Sequence, residues 1–431
     1  MAKNRKRKKA AETLRKKSAN EKRLKPDADE YMATAKRLLI SLEGSAAAFD
    51  VFTKKQKQDI FRLFVVPPHC TAEPGRDVPR HFVRYIQDSL LRHLNTEYFD
   101  RDMGLTLMDV ITVGTTMSMI FNEKRFRACL SPLQMETVDR INGIFEERKV
   151  IFDAFNNLMQ FSKIILVMLS QPNFRVYGFS STDYDLVSLG RRSMRLNIVV
   201  TSHPCQSVRF SYHNRERISF RIAAGQFLTT PYTAATIRMS AIYPNIESDR
   251  VLNIYIQPHA IHRFKERIDT IDPFVRNEYF FFSLFYFQHV THGPDGSQFI
   301  ECMTPTERGE KCMGYFTFTI DGDNLHILTI LPILCRSTPQ GRVLSDRLGL
   351  SDSDMIYLGM DKLSFFYNVD IGRIPQLKRV LFDELHLEYI RGIYNFYRSD
   401  ADGFDEKKTL FVESFFRKME EHSAAGVGAL I

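Results

Sequence analysis

Tyr315-Phe316-Thr317-Phe318-Thr319-Ile320-Asp321-Gly322-Asp323-Asn324-Leu325-His326-Ile327-Leu328-Thr329-Ile330 is the stretch that decides the fold. Both arms are rich in β-branched and aromatic residues, and Asp-Gly between them supplies the turn chemistry of an antiparallel hairpin. Just upstream, Glu278 to Phe287 carries seven aromatics in ten residues, and no Lys or Arg occurs from Asn277 to Glu307. A base-stacking surface interleaves its aromatics with cations. This run therefore reads as core.

Further from the hairpin, Leu196–Thr201, Val208–Tyr212, Arg217–Ile222 and Leu252–Ile256 are short strand-forming runs between turn formers. Before Gly178 the pattern is helical. Ala33, Ala35, Leu38, Leu39 and Leu42 form a stripe that ends near Gly44. Helices are also expected over 54–65, up to the Pro67-Pro68 breaker, and over 80–95 and 131–170. After the hairpin, 342–420 is helix-like and mixed, with one helix marked by Leu377, Val380, Leu381, Leu385 and Leu387, and 423–431 is expected to fray. The fold class is α+β, a helical N-terminal half followed by a mixed domain with an antiparallel β-sheet. The expected divisions are a basic disordered tail (1–26), a helical domain (27–175), an α+β domain (176–345) and a helical or mixed C-terminal region (346–431).

The charge is unevenly distributed. Residues 1–25 hold twelve Lys/Arg against two Glu, a net of +10, so a total of +8 leaves −2 for the rest. A tail built like Lys6-Arg7-Lys8-Lys9 makes sequence-independent, salt-sensitive contacts with polyanions, or merely solubilises. It has no apolar face for lipid, no apolar run reaches the ~20 residues of a bilayer span, and no membrane role is expected. Six scattered cysteines without a C-x-x-C pair suit a reducing, cytoplasmic setting. No phosphate-binding glycine loop or metal-ligand motif occurs, and no cofactor is expected; His289, His292 and Asp295 surround what is first of all a Gly-Pro-Asp-Gly turn.

The densest chemistry is His-Ala-Ile-His-Arg-Phe-Lys-Glu-Arg at 259–267. On a helix, His259, Arg263 and Arg267 fall at i, i+4 and i+8 and line one face, while His262 lies off it. An imidazole titrates near neutral pH, and guanidiniums clamp phosphate through several donors. Cleaving RNA without a metal also needs a second proton-transfer group. His326 and Thr329 are the candidates, and strand alternation keeps them on opposite faces unless a bulge intervenes. Arg215, Arg217 and Arg221 share one face of a strand and form a candidate basic patch. The plain alternative makes both features solvated surface, with Glu266 or Asp269 pairing the helix arginines.

The order of strand, His259-Ala260-x-x-Arg263-x-x-x-Arg267 helix, and a sheet whose last strand carries Thr329 resembles the metal-independent RNases and toxins of the RelE/barnase–EndoU–colicin group, over about residues 250–335. The resemblance implies an endoribonuclease in which the 2′-OH attacks in line, with His259 in acid/base work, Arg263 and Arg267 on the phosphate, and Thr329 beside them. RNA or the ribosome is then the expected partner, and the helical half has room for a protein partner. The alternative is a noncatalytic nucleic-acid-binding or assembly protein that uses the basic tail.

Overall fold

Capping chemistry starts many of the helices in the computed structural model, which describes residues 28–62, 64–188, 192–225, 232–246, 249–293, 295–306, 309–397 and 403–427. The tail, with Lys6, Arg7, Lys8 and Lys9, lies outside the described residues. The chain is α+β, with helices in its N-terminal half and antiparallel-rich sheets later. It forms two compact units. One comprises the N-terminal helices up to Ile165 with Gly178–Ser202, and the other comprises Leu166–Tyr177, His203–Gly225 and Tyr232–Ile431.

In the first unit, helix Ala28–Glu43 ends where Gly44 takes φ 73°. Capping boxes at Thr53/Gln56 and Ser131/Gln134 open helices Lys54–Ile60 and Pro132–Glu147. Helix Arg80–Thr96 buries Ile86, Leu90 and Leu94 at helical spacing. The long helical stretch expected over 131–170 is two helices, Pro132–Glu147 and Val150–Leu169, interrupted where Lys149 takes φ 50°. Taken as one run, Pro132–Leu169 has the length and hydropathy of a bilayer span. Ile141, Phe145, Leu158 and Leu166 on it are buried, while about two thirds of its most apolar window is not.

Pro67-Pro68 does not simply end a helix. These prolines lie inside strand β1 (Phe64–Ala72), at the edge of a three-stranded sheet with β2 (Arg175–Ser188) and β3 (Arg192–Pro204). Proline is tolerated there because an edge strand has one unpaired side, and the register of β1 against parallel β3 shifts between Val66 and His69. The Gln87 side chain completes that free edge, accepting from Cys70 N at 2.6 Å and donating to the Pro68 carbonyl at 2.9 Å.

The second unit is built on a sheet of eight strands. In chain order these are β4 (Ser207–Tyr212), β5 (Arg215–Arg221), β6 (Thr236–Arg238), β7 (Val251–Ile256), β8 (Val290–His292), β9 (Gln298–Thr306), β10 (Gly309–Asp321) and β11 (Asn324–Pro332). Their spatial order is β8-β9-β10-β11-β7-β5-β4, with β6 paired to the first half of β7. The β10–β11 hairpin forms as its composition requires. Its two central turn residues are Gly322 and Asp323, with only Gly322 at positive φ, the type II′ pattern. The ladder between β7 and β11 is parallel, from Asn253 opposite Asn324 to Ile256 opposite Ile327.

Tyr279, Phe280, Phe281 and Leu284 of the aromatic run are core, packed with Phe264 and Phe316. Tyr286, at the end of the run, is exposed. Leu350, Met355, Leu377, Val380 and Phe416 share this core, so packing is continuous across the division expected at 345/346. The helix expected around Leu377–Leu387 is a short turn, Pro375–Lys378, continued as a π-turn through Glu384. At the C-terminus, helix Glu406–Val427 takes in part of the segment expected to fray.

Helix Pro258–Arg267 starts on a proline at its first turn and buries Ala260, Ile261 and Phe264. Arg276, itself buried, closes its far end by donating to the carbonyls of Lys265 (3.3 Å) and Ile268 (3.1 Å). Arg276→Leu leaves both carbonyls without that donor, and we expect a loss of roughly 1–3 kcal/mol in urea denaturation. An unchanged midpoint would show that the cap is dispensable.

Candidate functional site

β7 stops at Ile256, while β5 and β11 both run on past it. The β5 register sets Arg221 opposite Tyr255 and Phe220 opposite Ile256. Continuing that register by one residue brings Ser219 level with Gln257, the last residue before the helix, and Arg217 reaches the same Gln257 through its side chain. The β4–β5 hairpin therefore projects beyond the end of β7, beside the first turn of the His259 helix. Its two-residue turn, His213-Asn214, has both residues at positive φ (49° and 58°), the type I′ geometry that follows strand twist.

Arg217 is held from two directions. Its Nη1 donates to Gln257 Oε1 at 3.1 Å, and its guanidinium carbon lies 5.1 Å from the centre of the Tyr212 ring. Such stacking contributes about 0.5–1 kcal/mol at a partly exposed site and orients the planar fork. Gln257 is the N-cap residue of the His259 helix, yet its side chain makes no capping bond because its oxygen is engaged by Arg217. Gln257 is only 4% exposed, and its Nε2 has no hydrogen-bond partner among the described residues.

His259 is exposed, and its pKa is lowered from the ordinary 6.5. Partial burial is the largest cause, followed by the positive charges of Arg263, His262, Arg267 and Arg217. None of these causes is an acid, so the field at the imidazole is that of a small cationic cluster. The shift favours the neutral form of the ring.

The arginines differ in what they can offer. Arg263 Nη1 bonds Glu266 Oε2 at 2.9 Å, and Glu266 Oε1 also meets His262 Nε2 at 3.0 Å. Arg263 is thus partly neutralised, as the surface-pair alternative anticipated, though nearly half exposed. Asp269 takes no part and accepts from Ser364 N at 3.0 Å. Arg267 Nη1 donates to the Ile330 carbonyl at 2.5 Å and its Nε is buried, so this side chain also ties the helix to β11.

His326 is where the structure departs most from the sequence reading. It is 1% exposed, stacked flat on Phe210 at 3.9 Å, with Nδ1 2.7 Å from Ser219 Oγ. Burial depresses its pKa to about 4. The alternation argument separating it from Thr329 also gives way. Thr329 pairs with Thr317 and His326 with Thr319, the register shifting between them with Leu328 as the extra residue. Thr317 and Thr319 share a face, so Thr329 and His326 do as well. That face is opposite the one where Ile327 and Ile330 pack with Phe264 of the helix. Arg217 and Gln257 lie on that same face as His326 and Thr329, through the Ser219–His326 bond and the Arg221–Tyr255–His326 register, but His326 is withdrawn from solvent there.

Arg215, Arg217 and Arg221 do lie on one strand face, but they do not form an exposed patch. Arg215 is exposed, Arg217 half-buried, and Arg221 is 8% exposed over the Tyr255 ring at 5.2 Å. The strand dips into the sheet along its length. Gln257 and Tyr212 are the site residues that sequence reasoning passed over. The available signals were a polar residue at the N-cap before Pro258 and an Asn in a two-residue turn. Among the described residues, no group of three His, Cys, Asp or Glu side chains is arranged to hold a metal.

The buried imidazole has a consequence for stability. Its folded pKa of about 4 lies below the unfolded 6.5, so the unfolded chain binds more protons between these values. Stability from this group is complete above pH 6.5 and lost as pH falls towards 4. We expect His326→Phe to flatten the urea-midpoint profile across that window, and an identical slope in both proteins would contradict it. No family model matches this chain, and no characterised protein or solved structure is similar to it, so the chemistry of these side chains alone bears on function.

Proposed function

We propose that this chain is an RNA-binding protein that holds the phosphodiester backbone at the head of the His259 helix, through Arg217, His259 and Arg263, without cleaving it. The observation that carries this is the cationic cluster at His259, with Arg217 oriented towards it by Gln257 and Tyr212. Backbone N–H groups at a helix start and a fixed guanidinium fork are suited to phosphate oxygens. The basic tail adds affinity that is independent of sequence and falls with salt.

Binding is favoured over cleavage by proton bookkeeping. In-line attack needs one group to take the 2′-OH proton and another to protonate the departing 5′-oxygen. His259 is neutral at pH 7 and suits the first task. His326 is buried against Phe210, and the Thr329 hydroxyl is too weak an acid to protonate the departing oxygen near neutral pH. A resident anion beside His259 needs no second group.

Fluorescence anisotropy with a short single-stranded RNA across a salt series tests this. R217A combined with R263A should weaken binding by roughly tenfold or more and reduce the slope of log K against log salt by about 1.4, two single-strand phosphate contacts. Unchanged affinity and slope would remove the site from the account. RNA recovered intact after prolonged incubation is the second expected result. Cleavage abolished by H259A would instead establish the endoribonuclease reading.

A further inference from the structure

The C-terminal helix Glu406–Val427 carries two distinct faces. Thr409, Val412 and Phe416 are buried in the core of the second unit. Glu406 and Glu413 are tied to Arg373, and Glu420 to Gln376, which fixes the sides of the helix. The opposite stripe, Lys407, Phe411, Ser414, Lys418 and Glu421, recurs at i, i+4, i+7, i+11 and i+14. Phe411 is 40% exposed, and its ring lies 5.1 Å from that of Tyr357, which is 65% exposed. Ile356 and Leu410, their neighbours in sequence, are exposed as well. Isolated exposed apolar residues are ordinary, but a continuous group of them marks an interaction surface.

We propose that this stripe pairs with its counterpart in a second copy of the chain, the two helices antiparallel about a two-fold axis at Ser414. The charges select that occupant. Reversal about Ser414 sets Lys407 opposite Glu421 of the other copy, and Glu421 opposite its Lys407. The same reversal brings Phe411 of one copy beside the stem of Lys418 of the other, both on the stripe. The small side chain of Ser414 allows close approach at the centre. A two-fold interface uses one patch twice, so a self-complementary stripe is what such a dimer requires.

Sedimentation equilibrium of the full chain over about 1–100 μM, a range that resolves modest affinities, tests the proposal. Concentration-dependent dimerisation is expected. K407E and E421K should each weaken it by roughly tenfold, because the symmetry repeats every disrupted pair, while the K407E/E421K double variant regains wild-type association. F411S should also weaken association, with the circular-dichroism spectrum of the folded chain retained. A monomer at every concentration, a dimer indifferent to F411S, or a double variant no better than either single would each overturn the proposal.

Discussion

The parallel ladder joining Asn253–Ile256 of β7 to Asn324–Ile327 of β11 governs where the side chains of the candidate site stand. Parallel neighbours cannot be joined by a tight turn, so the chain between them must travel, and residues 257–323 make that crossing. The crossing begins with the His259 helix, whose apolar stripe packs in the core with Ile327 and Ile330 of β11. Because β7 ends early, the helix start and the β4–β5 hairpin meet where a longer strand would have run. Gln257, the first residue past β7, therefore has two tasks. It continues the ladder through its backbone N–H to the Ile327 carbonyl at 3.1 Å, and it positions Arg217 through its side chain.

Electrostatics then decides what kind of site this is. Arg263, Arg267 and Arg217 act on His259, and Glu266 pairs with Arg263 within the same cluster. The arginines outnumber that single acid, which is the ground for proposing an anion beside His259. The neighbouring buried histidine takes the opposite course. His326 is kept neutral between Phe210 and Tyr255 with its Nδ1 on Ser219, and it serves packing and hydrogen bonding within the sheet. Two histidines of similar sequence appeal thus differ in role through burial alone.

Local pattern made a good part of this legible. The 315–330 hairpin, the helical N-terminal half, the His259 helix and the buried aromatic run all follow from propensity and periodicity over short windows. The features that escaped are tertiary. A register shift at Leu328 moved Thr329 to the face of His326, and nothing local to Ile327-Leu328-Thr329 announces it. Pro67-Pro68 reads as a breaker, yet an edge position absorbs both prolines into a strand. Arg221 alternates correctly with Arg215 and Arg217, but alternation gives the face and not the depth. Arg267, expected on the phosphate, is engaged by a backbone carbonyl of β11, a contact that no local pattern announces.

The central claim is that the cluster around His259 is an anion site. NMR titration of the His259 imidazole in the full chain, with and without a short RNA, tests it most directly. The account predicts a pKa below 6.5 in the free protein and a clear rise when RNA is present, because phosphate charge offsets the surrounding cations. A His259 pKa that does not move with RNA bound would contradict it.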